Sequence, residues 1–289
     1  MTQRRFELVK HDLKKRALRN IKLQDKRVSK LFEDFLLNLE ARLDNGKEDR
    51  NIICRDTLVE LYFGKNSNYE EILNDTKCPL ASKTLIASFD PRNITLEPEY
   101  YSNVDSEKFH KVKPLIWLWT IFDRSPVGRN CFLGFPFRRI LAKKIFKKCG
   151  ENLKVFHDVE FSFGYNISVG DNVVIHRNVL LDDRGELVIE DNASISDYVN
   201  VYSHSHSIFD QGDVTLGKTV IGKGARLTYH STILEGVKVG QEAMVGALGL
   251  ATRDVRNFHI NVGIPAKSVR VKPNACVDEC KDETCVHKV

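Results

Sequence analysis

From about Val155 to Val271 apolar residues return every six positions. One register runs through Val169, Ile175, Leu181, Ile189, Ile195 and Val201. After an interruption it resumes at Ile221, Leu227, Ile233, Val239, Val245 and Ala251. A second series, Ile167, Val173 and Val179, runs two residues ahead of the first. A period of six is neither the 3.6 of a helix nor the 2 of a strand. A short fixed repeat describes a solenoid, in which each turn buries its apolar face against the next. The β-branched residues suit small inward positions. Neighbouring Gly, Asn and Asp suit tight corners, because they tolerate positive φ. Three hexapeptides make one triangular coil, so about 115 residues less one loop make roughly six coils.

The front of the chain follows other rules. Residues 1–45 read as helix, with Leu8, Leu13, Leu18, Ile21, Leu31, Phe35 and Leu39 at near-helical spacing and Asp44-Asn45-Gly46 as the stop. Residues 51–90 read as short helices, one of them stopped by Gly64, and SFDPRNITLEPEYYSN reads as an extended connector. Six basic residues and no acid lie between Arg138 and Lys148. Such a stretch fits an interfacial helix at 137–148, with peripheral membrane contact, or a helix that covers the first coil. We favour the cover, since a solenoid needs its first exposed turn capped. The expected division is a helical extension (1–110), a connector with a capping helix (111–152), the solenoid (153–272) and a Cys-containing tail (273–289).

Residues 1–50 hold 14 Lys and Arg against 9 Asp and Glu, a surplus of five that equals the whole formal charge of +5. We read it as a solvated helix face. A pI of about 8.7 without zinc-finger spacing argues against a nucleic-acid partner. The longest apolar run, Pro114–Phe122, is about half of a membrane span. The opening stretch has no apolar leader, so a cytoplasmic chain is expected, with its seven cysteines reduced. Cys276, Cys280, Cys285 and His287 in the tail have zinc-ligand chemistry but lack a CxxC pair, and no metal is expected.

The stretches TVIGKGARLTYHSTILEGVKVGQEAMVGALGLATRDV, VGIPAKSVR and LLDDRGELVIEDNASISDYVNVYSHSHSIFD resemble the hexapeptide-repeat acyltransferases, notably the sugar O-acetyltransferases. The resemblance spans about 40% of the chain. It implies a left-handed parallel β-helix behind an α-helical amino-terminal region, a homotrimer with sites between neighbours, acetyl-CoA as donor and a small-molecule acceptor. It also implies roles. His206, in Ser205-His206-Ser207-Ile208-Phe209-Asp210, matches the general base. An imidazole suits that task, since it takes a hydroxyl's proton near neutral pH. His204 lies two residues away as an alternative base, substrate contact or half of a metal pair. Asp182 and Arg184, in LDDRG, match a stretch one coil earlier. There the Asp orients an imidazole, accepts from an acceptor hydroxyl, or merely caps a corner. Asn178, Asp210 and Arg226 complete the acceptor-side candidates.

On the donor side, Ala247, Thr252, Lys267 and Arg270 match positions that meet pantetheine and the nucleotide phosphates, which favour cationic partners, and Thr228 and Tyr229 stand where the family's small residues border the thioester arm. The chain departs from the family at Arg226-Leu227-Thr228-Tyr229-His230, where an aromatic and small residues are usual. Arg226 favours an anionic acceptor. His176 and His230 are read as corner residues. Two other readings stand beside the enzyme: a catalytically inactive scaffold on the same solenoid, and a metal-dependent relative resembling the γ-class carbonic anhydrases.

Overall fold

A computed structural model describes residues 18, 21–64, 67–210 and 212–272. The Cys-containing tail and most of residues 1–20 lie outside the described residues. Helix α1 spans Lys26–Asn45, capped by the Asp25 carboxylate and ended at Gly46 (φ 64°). Residues 18 and 21–25 are not helical, so the helix expected over 1–45 is not continuous up to Lys26. Helices α2 (Arg50–Phe63), α3 (Tyr69–Asn74) and α4 (Leu80–Ala87) follow, and α2 stops before Gly64. The expected connector holds two 3-10 turns, Pro91–Asn93 and Glu97–Tyr100, because Asp90 and Glu99 accept backbone N–H groups there. Helix α5 (Ser106–Arg124) runs straight through the division expected at residue 110, and α6 (Cys131–Ile145) follows it. Among the described residues no helix is long and apolar enough to cross a membrane.

Three parallel faces build the solenoid. The first holds Lys148–Cys149, Ile167–Val169, Glu186–Ile189, Lys218–Ile221 and Lys238–Val239. The second holds Lys154–Val155, Val174–Ile175, Ser194–Ile195, Arg226–Leu227, Met244–Val245 and His259–Val262, with Lys267–Val271 added antiparallel. The third holds Glu160–Phe161, Leu180–Leu181, Asn200–Val201, Thr232–Ile233 and Leu250–Ala251. Both apolar series point inward: Ile175, Leu181, Ile195, Val201, Leu227 and Ile233 are fully buried, as are Ile167 and Val173. This is a parallel β-helix of about six turns behind a helical region.

The repeat is not uniform. Ser168 pairs with Val188 and Lys154 with Val174, twenty residues apart, whereas Arg226 pairs with Met244, eighteen apart. The two extra residues of the early coils fall at one edge, where the third face passes to the first face of the next coil. The register steps from Phe161 to Val169 and from Leu181 to Ile189, eight residues rather than six. In the following coil this edge opens into residues 202–217. We call it the third edge. The edge between the second and third faces is regular. Its corners are Asp158, Asn178, Tyr198, His230 and Leu248, all in the left-handed region (φ 58°, 56°, 60°, 57° and 59°). The expectation of Gly, Asn or Asp at such corners fails for three of them. Bonds from one coil to the next, such as His230 N–H to Asp197 O and Leu248 N–H to Tyr229 O, hold the bulky residues in place.

The helices close the first coil. Phe122 stacks on Phe137 at 3.7 Å, and Trp119 and Phe146 meet Phe161 edge-on at 5.4 Å each. At the centre is Arg138, 1% exposed. It donates to Asp123 (2.8 and 2.5 Å), to Gly128 O (2.6 Å) and to Val155 O (3.1 Å). Asp123 also accepts from Asp158 N–H. Arg139 donates to Leu153 O, and Lys144 pairs with Asp44. The basic stretch is therefore spent largely on the solenoid and on α1.

Candidate active site

The third edge gathers four of the acceptor-side candidates, Asp182, Arg184, His204 and Asp210, with His206, from two consecutive coils. Its turn at 182–185 lies directly below the start of the inserted segment. Gly185 N–H donates to Ser203 Oγ (2.9 Å), and a Cβ at Gly185 would collide with the carbonyl oxygens of Ser203 and Gly217. Only glycine lets the turn approach this closely. The inserted segment is an antiparallel hairpin, His204–His206 against Val214–Leu216, closed at its base by Gly217 N–H to Ser203 O (2.8 Å). Its tip is a tight turn. Ser207 Oγ accepts from the Phe209 and Asp210 N–H groups, and the Asp210 carboxylate accepts from Gly212 N–H. Ile208 and Phe209 stand 90% and 93% exposed there.

Asp182 is the hub, only 2% exposed. Its carboxylate accepts from Ser162 Oγ (3.1 Å), Arg184 N–H (3.1 Å) and Ser203 N–H (3.3 Å), and it pairs with His204 Nδ1. The carboxylate thus both caps a corner and pairs with an imidazole. The imidazole is that of His204. His206 lies beside it on the same side of the strand and is exposed, with ring centroids 5.1 Å apart at 83°. Tyr202 packs against His204 from the other direction. The neighbouring Asp183 is fully buried. Desolvation pushes its carboxyl up to about 6, although the N–H groups of Phe163, Gly164 and Asn166 favour its charged form.

Arg184 reaches away from the histidines toward the helical region. Its guanidinium carbon lies 4.1 Å over the Tyr101 ring, and Nη2 donates to Asn103 Oδ1 (2.8 Å). Nothing in the sequence pattern pointed to Tyr101 and Asn103. They lie some eighty positions before Arg184, in the connector. Ser162 and Ser203, the donors that hold Asp182, were also missed. Their signal is legible afterwards, since they come one and two residues after the register positions Phe161 and Val201 on the widened edge.

The remaining candidates lie elsewhere on the prism. Asn178, Thr228, Tyr229 and Ala247 are on the regular edge between the second and third faces, and Arg226 leads into it. Thr228 Oγ1 donates to Val245 O (2.8 Å), so this side chain is tied to the next coil. Tyr229 is half-exposed, edge-on to His230, which stacks on Tyr198 at 4.8 Å. Thr252 follows the third face, and Lys267 and Arg270 are exposed on the final strand. Within one chain, then, the histidine pair and most donor-side candidates occupy different edges. Among the described residues no three metal-ligating side chains converge. His176 stacks on Phe156 at 4.8 Å.

No protein-family model matches the chain. Over 137 residues it is 28% identical to the galactoside O-acetyltransferase of Escherichia coli K12, covering 46% of this chain and 68% of that protein. In structure it is similar to the maltose O-acetyltransferase of Clostridium difficile 630, with a TM-score of 0.53 and 22% identity over 60% of this chain and 91% of that one. It is also similar to a galactoside acetyltransferase solved in complex with coenzyme A, with a TM-score of 0.52 and 24% identity over 60% and 85% of the two chains. The solenoid thus has the left-handed parallel β-helix fold of the hexapeptide-repeat acetyltransferases, and the chain resembles that family in sequence.

Proposed function

We propose that the chain is a CoA-dependent O-acyltransferase, with acetyl-CoA as donor and a hydroxyl of a sugar-bearing or other small acceptor as nucleophile. The observation that carries this is the third edge: an exposed His206 beside a buried Asp182–His204 pair, within the stretch that resembles the family. His206 is the general base. It takes the acceptor's proton as the oxygen attacks the thioester carbonyl, and returns it to the departing thiolate. A backbone N–H of an adjacent coil holds the developing oxyanion. Asn178, Asp182, Arg184, His204, Asp210 and Arg226 are the acceptor-side set. Thr228, Tyr229, Ala247, Thr252, Lys267 and Arg270 are the donor-side set, with the two basic residues meeting phosphate.

The separation of the histidine pair from Thr228, Tyr229 and Ala247, on different edges, supports a homotrimer, in which the donor side of one copy faces the histidines of its neighbour. We place the protein in the cytoplasm and assign it no metal. Calorimetric titration with acetyl-CoA, in parallel with an acceptor screen, tests the reading. We expect binding by both the wild type and His206→Ala, with transfer reduced about 10²- to 10⁴-fold in the variant. An intact chain that binds no acyl-CoA would leave the solenoid as a scaffold.

A further inference from the structure

The Asp182–His204 pair is more elaborate than a corner cap requires. Three neutral donors, Ser162 Oγ and the N–H groups of Arg184 and Ser203, already surround the carboxylate. An asparagine could accept from the two N–H groups equally well. A carboxylate becomes useful when the fourth partner is an imidazole. It accepts only, so His204 Nδ1 must be the donor, and the ring is fixed in one orientation and one tautomer. That ring is mostly buried, with its side chain 17% exposed, and it stands edge-on to His206 with the centroids 5.1 Å apart. A rigid imidazole backed by a buried carboxylate therefore abuts the exposed imidazole that faces solvent.

We propose that Asp182 and His204 form a positioning unit for His206: the fixed ring orients the His206 imidazole, and the buried carboxylate balances the positive charge that His206 takes up. This rests on the acyltransferase reading above. In the step concerned the acceptor O–H bond breaks, its proton passes to His206, and the acceptor oxygen bonds to the thioester carbon. The carbon–sulfur bond then breaks, and His206 passes the same proton to the departing thiolate, which leaves as the thiol. His204 neither gains nor loses a proton in this balance. The unit acts through His206, as the third member of a catalytic triad acts through its second.

Nitrogen-15 spectra of the histidine rings in the full chain test this without an acceptor. We expect His204 in the Nδ1–H tautomer in the wild type. Asp182→Asn should lose that signature and shift the His206 ring signals. His204→Asn is the second variant. Its amide returns a donor to Asp182, so a merely structural role is rescued, whereas the His206 signals still move because the ring is gone. With an acceptor from a panel of methyl glycosides, Asp182→Asn and His204→Asn should each lower kcat about 10- to 100-fold. KM should change little, the acidic limb of the pH–rate profile should move, and the double variant should be no worse than the poorer single one. His206 signals unchanged in both variants, or kinetic losses that multiply, would overturn the proposal. So would activity that survives His206→Ala but not His204→Asn. Acetyl-CoA titrated into the same samples reports separately on the acyltransferase reading.

Discussion

The regular edge and the third edge of this solenoid are made from the same chain by opposite means. On the regular edge one four-residue corner recurs, coil after coil, at Asp158, Asn178, Tyr198, His230 and Leu248. Stacking bonds impose the conformation so firmly that tyrosine, histidine and leucine adopt a backbone region usually left to glycine or asparagine. On the third edge two eight-residue steps give way to a long excursion after Val201, and the turns are held by their own side-chain bonds: Asp183 to 163 and 166, Asp182 to 162 and 203, Ser203 to 185. Repetition makes a wall. Departure from it, supported by buried carboxylates, makes a place where side chains of different coils can be aimed.

That contrast can be broken or sharpened by substitution. Ile233→Ala, in the repeating interior, should have the largest effect on stability, a loss of about 2–5 kcal/mol in urea unfolding. Specific activity per folded molecule should stay near normal, and a selective loss of activity would blur the distinction between wall and site. Gly185→Ala, on the third edge, should cost about 1–3 kcal/mol by overpacking. It should also lower transfer disproportionately, because the hairpin base carrying His204 and His206 has to shift.

Asp183 comes next. Its folded carboxyl titrates near 6, above the ordinary value near 4, so the folded state holds more protons between these limits. Its stabilising share is complete below pH 4 and is lost as pH rises through 6. Asp183→Asn should therefore compare worst with the wild type at pH 4 and less badly at pH 7, as read by thermal unfolding at both. An equal difference at the two pH values would contradict the burial argument. The smallest effect is expected at the hairpin tip, where Phe209→Ser should change stability by no more than about 0.5 kcal/mol. A large destabilisation there would mean that the tip is covered, for instance by a neighbouring copy.

The period of six made the faces legible, since Ile175, Leu181, Ile195 and Val201 could be assigned inward from spacing alone. It also made the third edge legible as an interruption, near Leu181 and again after Val201. The pairing inside that interruption was only half readable. The Asp182 stretch could be matched to an imidazole, but which imidazole depends on how the hairpin leaves the coil, with His204 at its base beside Asp182 and His206 further out. That exit is set by Gly185 and Ser203 touching across coils. Arg184 on Tyr101 and Arg138 on Asp123 were less accessible still. One spans some eighty positions, and the other lay in a basic run whose charges look alike until one is buried.

The Arg138 seam bears on how the chain comes to be folded. A β-helix has no natural beginning: every coil needs a finished neighbour as its template, and the first has none. Here α5 and α6 supply one, presenting Trp119, Phe146 and the Arg138 donor to the backbone around Val155. On a nascent chain this surface is complete before the second coil has been synthesised. The first coil thus has a finished neighbour from the start, much as a crystal has in its seed.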